Sequence, residues 1–397
     1  MSRAAPHCPR LFEPLRLQGL ALPNRCVVAP MTRISATAHG DPTDTMARYY
    51  ERFARGGFGL VVTEGVYTDQ AYAQGYPGQP GLGDTAQARA WQPLVRRVHD
   101  AGARIFAQLM HAGALSQANR FRDDTVGPSA IRPKGAQMPI YGGEGAYRVP
   151  RAMTEAEIGQ AIDGFANAAR LAREVAGFDG VEIHGANGYL LDQFLTDTSN
   201  RRNDAWGGDI EGRIRLSVAV ARAVREAVGD DTPVGIRISQ SKVNDFAHRW
   251  AEGAEGAATV FARLAAAGVD YVHITEFEAW RPAFGDEGLG LVAHARRAAP
   301  HVTIIANGGL HDPARAAQLL DEGADLVAIG RGALANPDWP QRVAAAQPLQ
   351  PFDPAMLAPL ADIKPDELEP GSCTAIADAG RVRAGAPDVA TAASGAT

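Results

Sequence analysis

Eight short apolar runs rich in Val and Ile, alternating with amphipathic stretches, constrain this 397-residue chain more than any other feature. The runs are Cys26–Ala29, Gly59–Thr63, Arg104–Leu109, Gly180–Ile183, Val234–Ile238, Val269–Ile274, Val302–Ala306 and Leu326–Ile329. They show little apolar–polar alternation, the pattern of parallel strands covered on both faces. The stretches Asp44–Arg55, Ala86–Ala101, Glu155–Ala176, Glu211–Val228, Glu252–Ala267, Leu291–Ala299 and Pro313–Glu322 carry apolar residues at helical spacing. Thr154 and Glu157 form a capping box ahead of the third. Gly102, Gly177, Gly268 and Gly323 stand where helices should close. The helix-to-strand unit Ala267-Gly268-Val269-Asp270 recurs in near-copies at Ala176–Asp179 and Gly323–Asp325. Eight strands with helices between them predict a closed (β/α)8 barrel, with a doubly wound open sheet as the alternative.

Three segments break the rhythm. Phe12–Leu22 reads as a hairpin plugging the barrel bottom. Ser116–Pro150, long and rich in Gly and Pro, reads as an excursion over one barrel mouth after the third strand. From about Gly371 small and polar residues dominate. Residues 1–370 are therefore read as a single barrel domain and 371–397 as a disordered tail. The net charge of -6 provides no basic surface for nucleic acid. No apolar run approaches the ~18 residues of a membrane span, and Met1–Leu15 lacks the apolar core of a secretory signal. A cytoplasmic protein is expected. Cys8, Cys26 and Cys373 are too few and too scattered for a cysteine-ligated iron–sulfur cluster. The histidines and carboxylates lack ligand spacing, so no metal site is expected.

Barrel enzymes place their chemistry at the C-terminal ends of the strands. Those ends carry Pro30-Met31-Thr32-Arg33, Glu64-Gly65, Gln108 with His111, His184 to Tyr189, Arg237, Asn307-Gly308-Gly309 and Gly330-Arg331-Gly332. Glycine pairs after the last two strands, with an arginine in the second, match a barrel phosphate site. Glycine admits close backbone approach, and arginine can clamp the anion bidentately. No dinucleotide-binding glycine fingerprint follows a strand. Arg237 lies inside the run VGIRI, where a charge is costly unless it has a partner, so a functional partner is a better explanation than an internal salt bridge. His184, Asn187 and Tyr189 share one loop, but no serine or cysteine sits in a nucleophile elbow.

These residues resemble the Old Yellow Enzyme family of flavoproteins. Leu11–Arg33 (LFEPLRLQGLALPNRCVVAPMTR) resembles the family's hairpin and first strand, and Val181–Leu195 (VEIHGANGYLLDQFL) its fourth-strand signature. Ser199–Arg213 is similar to the loop that follows, with Trp206 where Tyr is usual. Ala306–Gly309 and Ile329–Asn336 (IGRGALAN) resemble its phosphate segments, so the likeness runs from about Leu11 to Pro351. The resemblance implies a noncovalent FMN at the barrel mouth, reduced by NADPH or NADH. It places Arg331 and the backbone at Gly308, Gly309 and Gly332 on the phosphate. Thr32 would meet the flavin C4 carbonyl, Gln108 the pyrimidine edge, and Arg237 N1 and the C2 carbonyl. Pro30, Met31, Gly65, Asn307 and Gly330 complete the implied cofactor-binding set. The implied reaction is ene reduction of an electron-poor alkene. His184 and Asn187 would hold the substrate's carbonyl or nitro oxygen, and Tyr189 would give the proton to the α-carbon. Nitroester or nitroaromatic reduction, and a non-catalytic flavin-binding redox sensor, remain alternatives. A homo-oligomer is compatible with the resemblance. Met110 stands where many relatives have Trp and is expected to reshape the pocket. Phe352–Leu368 is rich in Pro and acidic residues in place of the usual aromatic segment.

Overall fold

A computed structural model describes residues 8–369. The expected tail 371–397, with Cys373, lies outside them. A short antiparallel hairpin, Leu15–Leu17 with Leu20–Leu22, comes first. The barrel strands follow as β1 (Cys26–Val28), β2 (Leu60–Tyr67), β3 (Arg104–Met110), β4 (Gly180–Asn187), β5 (Val234–Lys242), β6 (Tyr271–Thr275), β7 (Thr303–Asn307) and β8 (Leu326–Ile329). All neighbours are parallel, and β8 closes on β1 through Val327 opposite Cys26 and Ile329 opposite Val28. The helices are α1 (Asp44–Arg55), α2 (Thr85–Asp100), α3 (Glu155–Leu171), α4 (Ile210–Val228), α5 (Gly253–Ala266), α6 (Leu291–Ala298), α7 (Pro313–Asp321) and α8 (Trp339–Ala344), with shorter helices between them. The closed barrel is the expected fold. No helix of the described residues is long and apolar enough to cross a membrane.

Strand periodicity divides the core in two. Ile105, Val181, Ile183, Ile236, Ile238, Val272 and Ile304 face the helices in one continuous cluster. Their neighbours Phe106, Tyr271, Ile305, Leu326 and Ala328 point inward and form a second cluster. Leu17 and Leu22 of the hairpin join that inner cluster and seal the N-terminal end, as expected for a plug. Each large apolar side chain buried here contributes about 1.5–3 kcal/mol. Above this layer the inward positions become polar: Gln108, Glu182, His184, Arg237, His273 and Asn307. The barrel interior is therefore apolar at one end and functional at the other.

Three strands run further than their apolar runs suggest: β2 to Tyr67, β4 to Asn187 and β5 to Lys242. Their ladders continue where the inward residues turn polar, as in Gly65 opposite Gln108 and Asn187 opposite Lys242. Hydropathy marks the core boundary, and hydrogen bonding marks the strand end. The expected helix Glu155–Ala176 is α-helical only to Leu171, after its Thr154–Glu157 capping box, and continues as a wide π turn over Ala172–Ala176.

The excursion after β3 contains a two-strand parallel contact, Val126–Gly127 with Arg151–Ala152, and a single turn at Pro139–Tyr141. The Pro-rich segment after α8 returns to brace it: the Ala361 N–H donates to the Ile140 carbonyl at 2.7 Å. Arg33, 1% exposed, anchors that segment. Its guanidinium donates to the carbonyls of Ala361 and Asp362, both at 2.9 Å, and to both oxygens of Glu367. Arg52 donates to Glu367 Oε2 at 3.1 Å, and both guanidiniums lie on the Tyr49 ring. Burial works to raise the Glu367 pKa, but the two arginines hold it below the usual carboxylate value. Its contribution is therefore present above the unfolded carboxyl pKa and lost as pH falls through the folded one. Removing one member of a buried ion pair leaves the others uncompensated. Glu367→Ala should lower unfolding free energy by about 3–5 kcal/mol in urea titrations at pH 7. A loss no larger than that of Asp321→Ala, which removes the exposed ion pair with Arg10, would show that the latch does not hold this segment.

Candidate active site

The expected site residues, with the exception of Gly65, line one cavity of about 870 Å³ at the C-terminal mouth. That volume is at the upper end of the range for small-molecule sites. Gly65 lies one layer back. Its carbonyl accepts from Gln79 Nε2 at 2.8 Å, and a Cβ on it would sit 2.5 Å from the Met110 sulfur. The missing side chain makes room for Met110. Met110 itself is enclosed in a cluster with Tyr76, Tyr147 and Tyr189. It shapes the pocket from behind rather than as its wall.

At one end of the cavity stand the glycines after β7 and β8. Gly308 has φ 135°, and a Cβ there would lie 2.1 Å from the Glu276 carbonyl oxygen. A Cβ on Gly330 would come no closer than 3.8 Å to any protein atom, so its absence leaves open space beside the cavity. Arg331 is exposed at the same end, over the Phe277 ring. A cradle without side chains beside a flexible guanidinium suits a phosphate.

The cavity floor is set by Arg237. Its Nη2 donates to Asn307 Oδ1 at 2.8 Å and to Thr275 Oγ1 at 3.1 Å. Asn307 Nδ2 in turn donates to the Ala328 carbonyl at 2.8 Å. Both ends of the Asn307 amide are therefore committed to holding Arg237 in place. Arg237 Nε is buried with no hydrogen-bond partner among the described residues. An orphan donor on a buried cation asks for an acceptor ligand. Burial pulls the Arg237 pKa down to about 10, which leaves the group charged at neutral pH. The glycine cradle and this unpaired donor fit the expected FMN.

Residues three apart on a regular strand face opposite sides. His184 and Asn187 nevertheless both line the cavity, because the β4–β5 register shifts between Gly185 and Asn187. The bulge re-aims Asn187, which adopts φ 63° and donates its N–H to Ser239 Oγ at 2.8 Å. The turn beyond is clamped from beneath. Asp192, fully buried, accepts the Gly188 N–H at 2.7 Å and pairs with Lys242 at 2.5 Å. Gln193 Nε2 donates to the Gly188 carbonyl at 2.7 Å. Tyr189 then hydrogen-bonds the hydroxyl of Tyr76, and its ring meets His184 edge-on at 4.9 Å. The Ala186 N–H donates to His184 Nδ1 at 3.3 Å, so the imidazole proton sits on Nε2. Burial, then Arg237 and His273, hold the His184 pKa well below its ordinary value. A neutral imidazole can therefore present an Nε2–H donor to the cavity.

Several lining or supporting residues were not singled out from sequence. Glu182 and His273 sit inside β-runs as Arg237 does, and the same reasoning about buried charge would have found them. Tyr76, Tyr141 and Leu357 come from loops and carried no local signal. Tyr141 packs against Tyr76 with ring centroids 4.7 Å apart and planes tilted by 45°, and burial pushes its phenol up to about 12.

The model of the NADH:flavin oxidoreductase / NADH oxidase family matches residues 10–350. A putative 12-oxophytodienoate reductase 3 of Oryza sativa subsp. japonica is 37% identical over 350 residues, 86% of this chain and 87% of that one. The NADH oxidase of Thermoanaerobacter brockii is 32% identical over 85% of this chain, which spans about half (51%) of that longer protein. Among solved structures, the old yellow enzyme homologue from Zymomonas mobilis superposes with a TM-score of 0.80 at 33% identity, covering 91% of this chain and 98% of that one.

The His184 assignment has a direct spectroscopic consequence. Its folded pKa is depressed, so the folded state binds fewer protons than the unfolded one below about pH 6.5, and this contribution to stability is lost as pH falls. Nitrogen-15 spectra should show an imidazole fixed as the Nε2–H tautomer from pH 6 to 8 that is lost in His184→Ala, leaving the similarly bonded His111 signal in place. A His184 signal titrating near 6.5 would contradict the geometry.

Proposed function

The chain belongs to the Old Yellow Enzyme family, the NADH:flavin oxidoreductases, and from that premise we propose an FMN-dependent ene-reductase acting on electron-poor alkenes. As a member it is an oxidoreductase that works with a flavin and a nicotinamide reductant. The observation that carries the finer reading is the convergence of His184 Nε2, the Asn187 amide and the Tyr189 phenol on the cavity that Arg237 and Gln108 floor. Bound FMN would supply the hydride, taken from NADPH or NADH and delivered to the β-carbon of the alkene.

The protein's own residues would do the rest. Arg331 and the backbone around Gly308, Gly309 and Gly332 would hold the cofactor phosphate. Thr32, Gln108 and Arg237 would hold the pyrimidine ring, flanked by Pro30, Met31 and Gly330. His184 and Asn187 would donate to the substrate oxygen, where negative charge develops as the β-carbon is reduced. Two fixed donors in an enclosed site stabilise that charge more than water does. Tyr189 would give its proton to the α-carbon. Burial raises the Tyr189 pKa, with the Tyr76 hydroxyl acting in the opposite direction. The phenol therefore stays loaded at neutral pH, and Tyr76 stabilises the phenolate once the proton has left. The 12-oxophytodienoate of the rice relative's name is an oxo-diene, and an enone of that type suits this donor set.

The purified protein should show a flavin absorption band that bleaches with NADPH in the absence of oxygen and returns on adding 2-cyclohexenone. A band that bleaches but does not return points to a nitro-compound oxidant or a sensor, and its absence after FMN reconstitution rejects the cofactor. Tyr189→Phe should slow reoxidation by the enone about 10²–10⁴-fold, the range of general acid catalysis, and leave reduction by NADPH near the wild-type rate. Equal slowing of both steps would remove Tyr189 from the donor role. His184→Ala should weaken phenol binding by at least tenfold, read from the change in flavin absorption.

A further inference from the structure

Beneath the cavity floor the barrel encloses a carboxylate that the proposed chemistry does not use. Glu182 and His273 are both completely buried, and His273 Nδ1 lies 2.8 Å from Glu182 Oε2. The other carboxylate oxygen, Oε1, accepts from Gln108 Nε2 at 2.8 Å. Gln108 stands directly opposite Glu182 in the β3–β4 ladder, and Arg237 directly opposite both His184 and His273. The apolar plug layer lies below, so water cannot solvate the carboxylate from that side.

Charge states follow from the contacts. Burial works to raise the Glu182 pKa, but His273, Arg237 and Gln108 together hold it below the ordinary value. Burial lowers that of His273 against the upward pull of Glu182, and its Nε2 has no partner among the described residues, the arrangement of a neutral imidazole donating from Nδ1. The pair carries one net negative charge beside the Arg237 cation. An ionised carboxylate only accepts hydrogen bonds. The Gln108 amide must then turn its nitrogen to Glu182 and leave its carbonyl oxygen as the group available to the cavity that Gln108 lines. Without Glu182 the amide has no fixed sense, since its two ends are nearly the same shape.

We propose that Glu182, held by His273, is a positioning residue for the flavin. It fixes Gln108 with its carbonyl toward the N3–H of the pyrimidine ring and, as the internal counter-charge of Arg237, limits how far the site favours reduced, anionic flavin over oxidised flavin. The inference rests on the reading of the cavity as an FMN site. A negative charge held in a low-dielectric interior opposes a second one nearby, so removing it favours the reduced cofactor.

The test compares FMN-loaded wild type, Glu182→Gln and Glu182→Asp, using the midpoint potential of the bound flavin and the affinity of each apoprotein for FMN. Glu182→Gln should raise the ratio of reduced to oxidised flavin affinity about tenfold, an upward shift of about 30 mV for a two-electron couple. Its affinity for oxidised FMN should fall several-fold. Glu182→Asp keeps the charge but withdraws it from Gln108, so it should lose affinity while keeping the wild-type potential. A merely structural role predicts weakened binding in both variants without this split. An unchanged or lowered potential in Glu182→Gln overturns the proposal. Where that variant does not fold, a displaced potential in Glu182→Asp overturns it equally. Wild-type protein that takes up no FMN overturns the cofactor reading and this inference together, whereas failure confined to the variants overturns the inference alone.

Discussion

Arg237 is a guanidinium enclosed in the barrel, and the layout of the site follows from how that charge is tolerated. Asn307 and Thr275 take one nitrogen, while Glu182 on the neighbouring strand supplies the opposing charge. Burial, reinforced by the same guanidinium at the facing ladder position, holds the His184 pKa well below its ordinary value. The buried cation leaves an unpaired donor for a ligand beside a neutral imidazole, while Glu182 takes the Gln108 amide nitrogen. These features are coupled because the residues occupy adjacent inward positions of a closed sheet, where no side chain can turn away to water.

The mouth above this floor is assembled from distant segments by a second set of buried charges. Glu64, completely buried, accepts the Arg33 N–H at 2.9 Å and the Ile34 N–H at 3.2 Å, which fixes the turn carrying Thr32. The side chain of Arg33 holds the C-terminal segment through Glu367, and that segment braces the excursion at Ile140. Leu357 and Tyr141 reach the cavity wall through these contacts. The Pro-rich, acidic stretch that replaces an aromatic one is therefore a strap, and its glutamate is the fastening.

Much of this was legible before any coordinates. The absence of alternation in the strand runs required cover on both faces, which leaves a barrel or a doubly wound sheet. Arg237 stood out because a charge inside an apolar run needs a reason. The paired glycines near Arg331 stood out because backbone approach to an anion needs them. Glu182 and His273 meet the same criterion as Arg237, since each is an ionisable residue one position from the end of its apolar run.

The sequence by itself determined the strand and helix order, the polarity gradient inside the barrel and most of the groups offered at its mouth. These depend on periodicity and on the cost of burying charge, both local properties. Only the tertiary structure decided which groups meet. The β4 bulge put His184 and Asn187 on one side, Tyr76 came from a loop to meet Tyr189, and Glu367 crossed the molecule to reach Arg33. Such contacts join residues far apart in the chain, where spacing carries no information and only closure of the barrel brings the partners within reach.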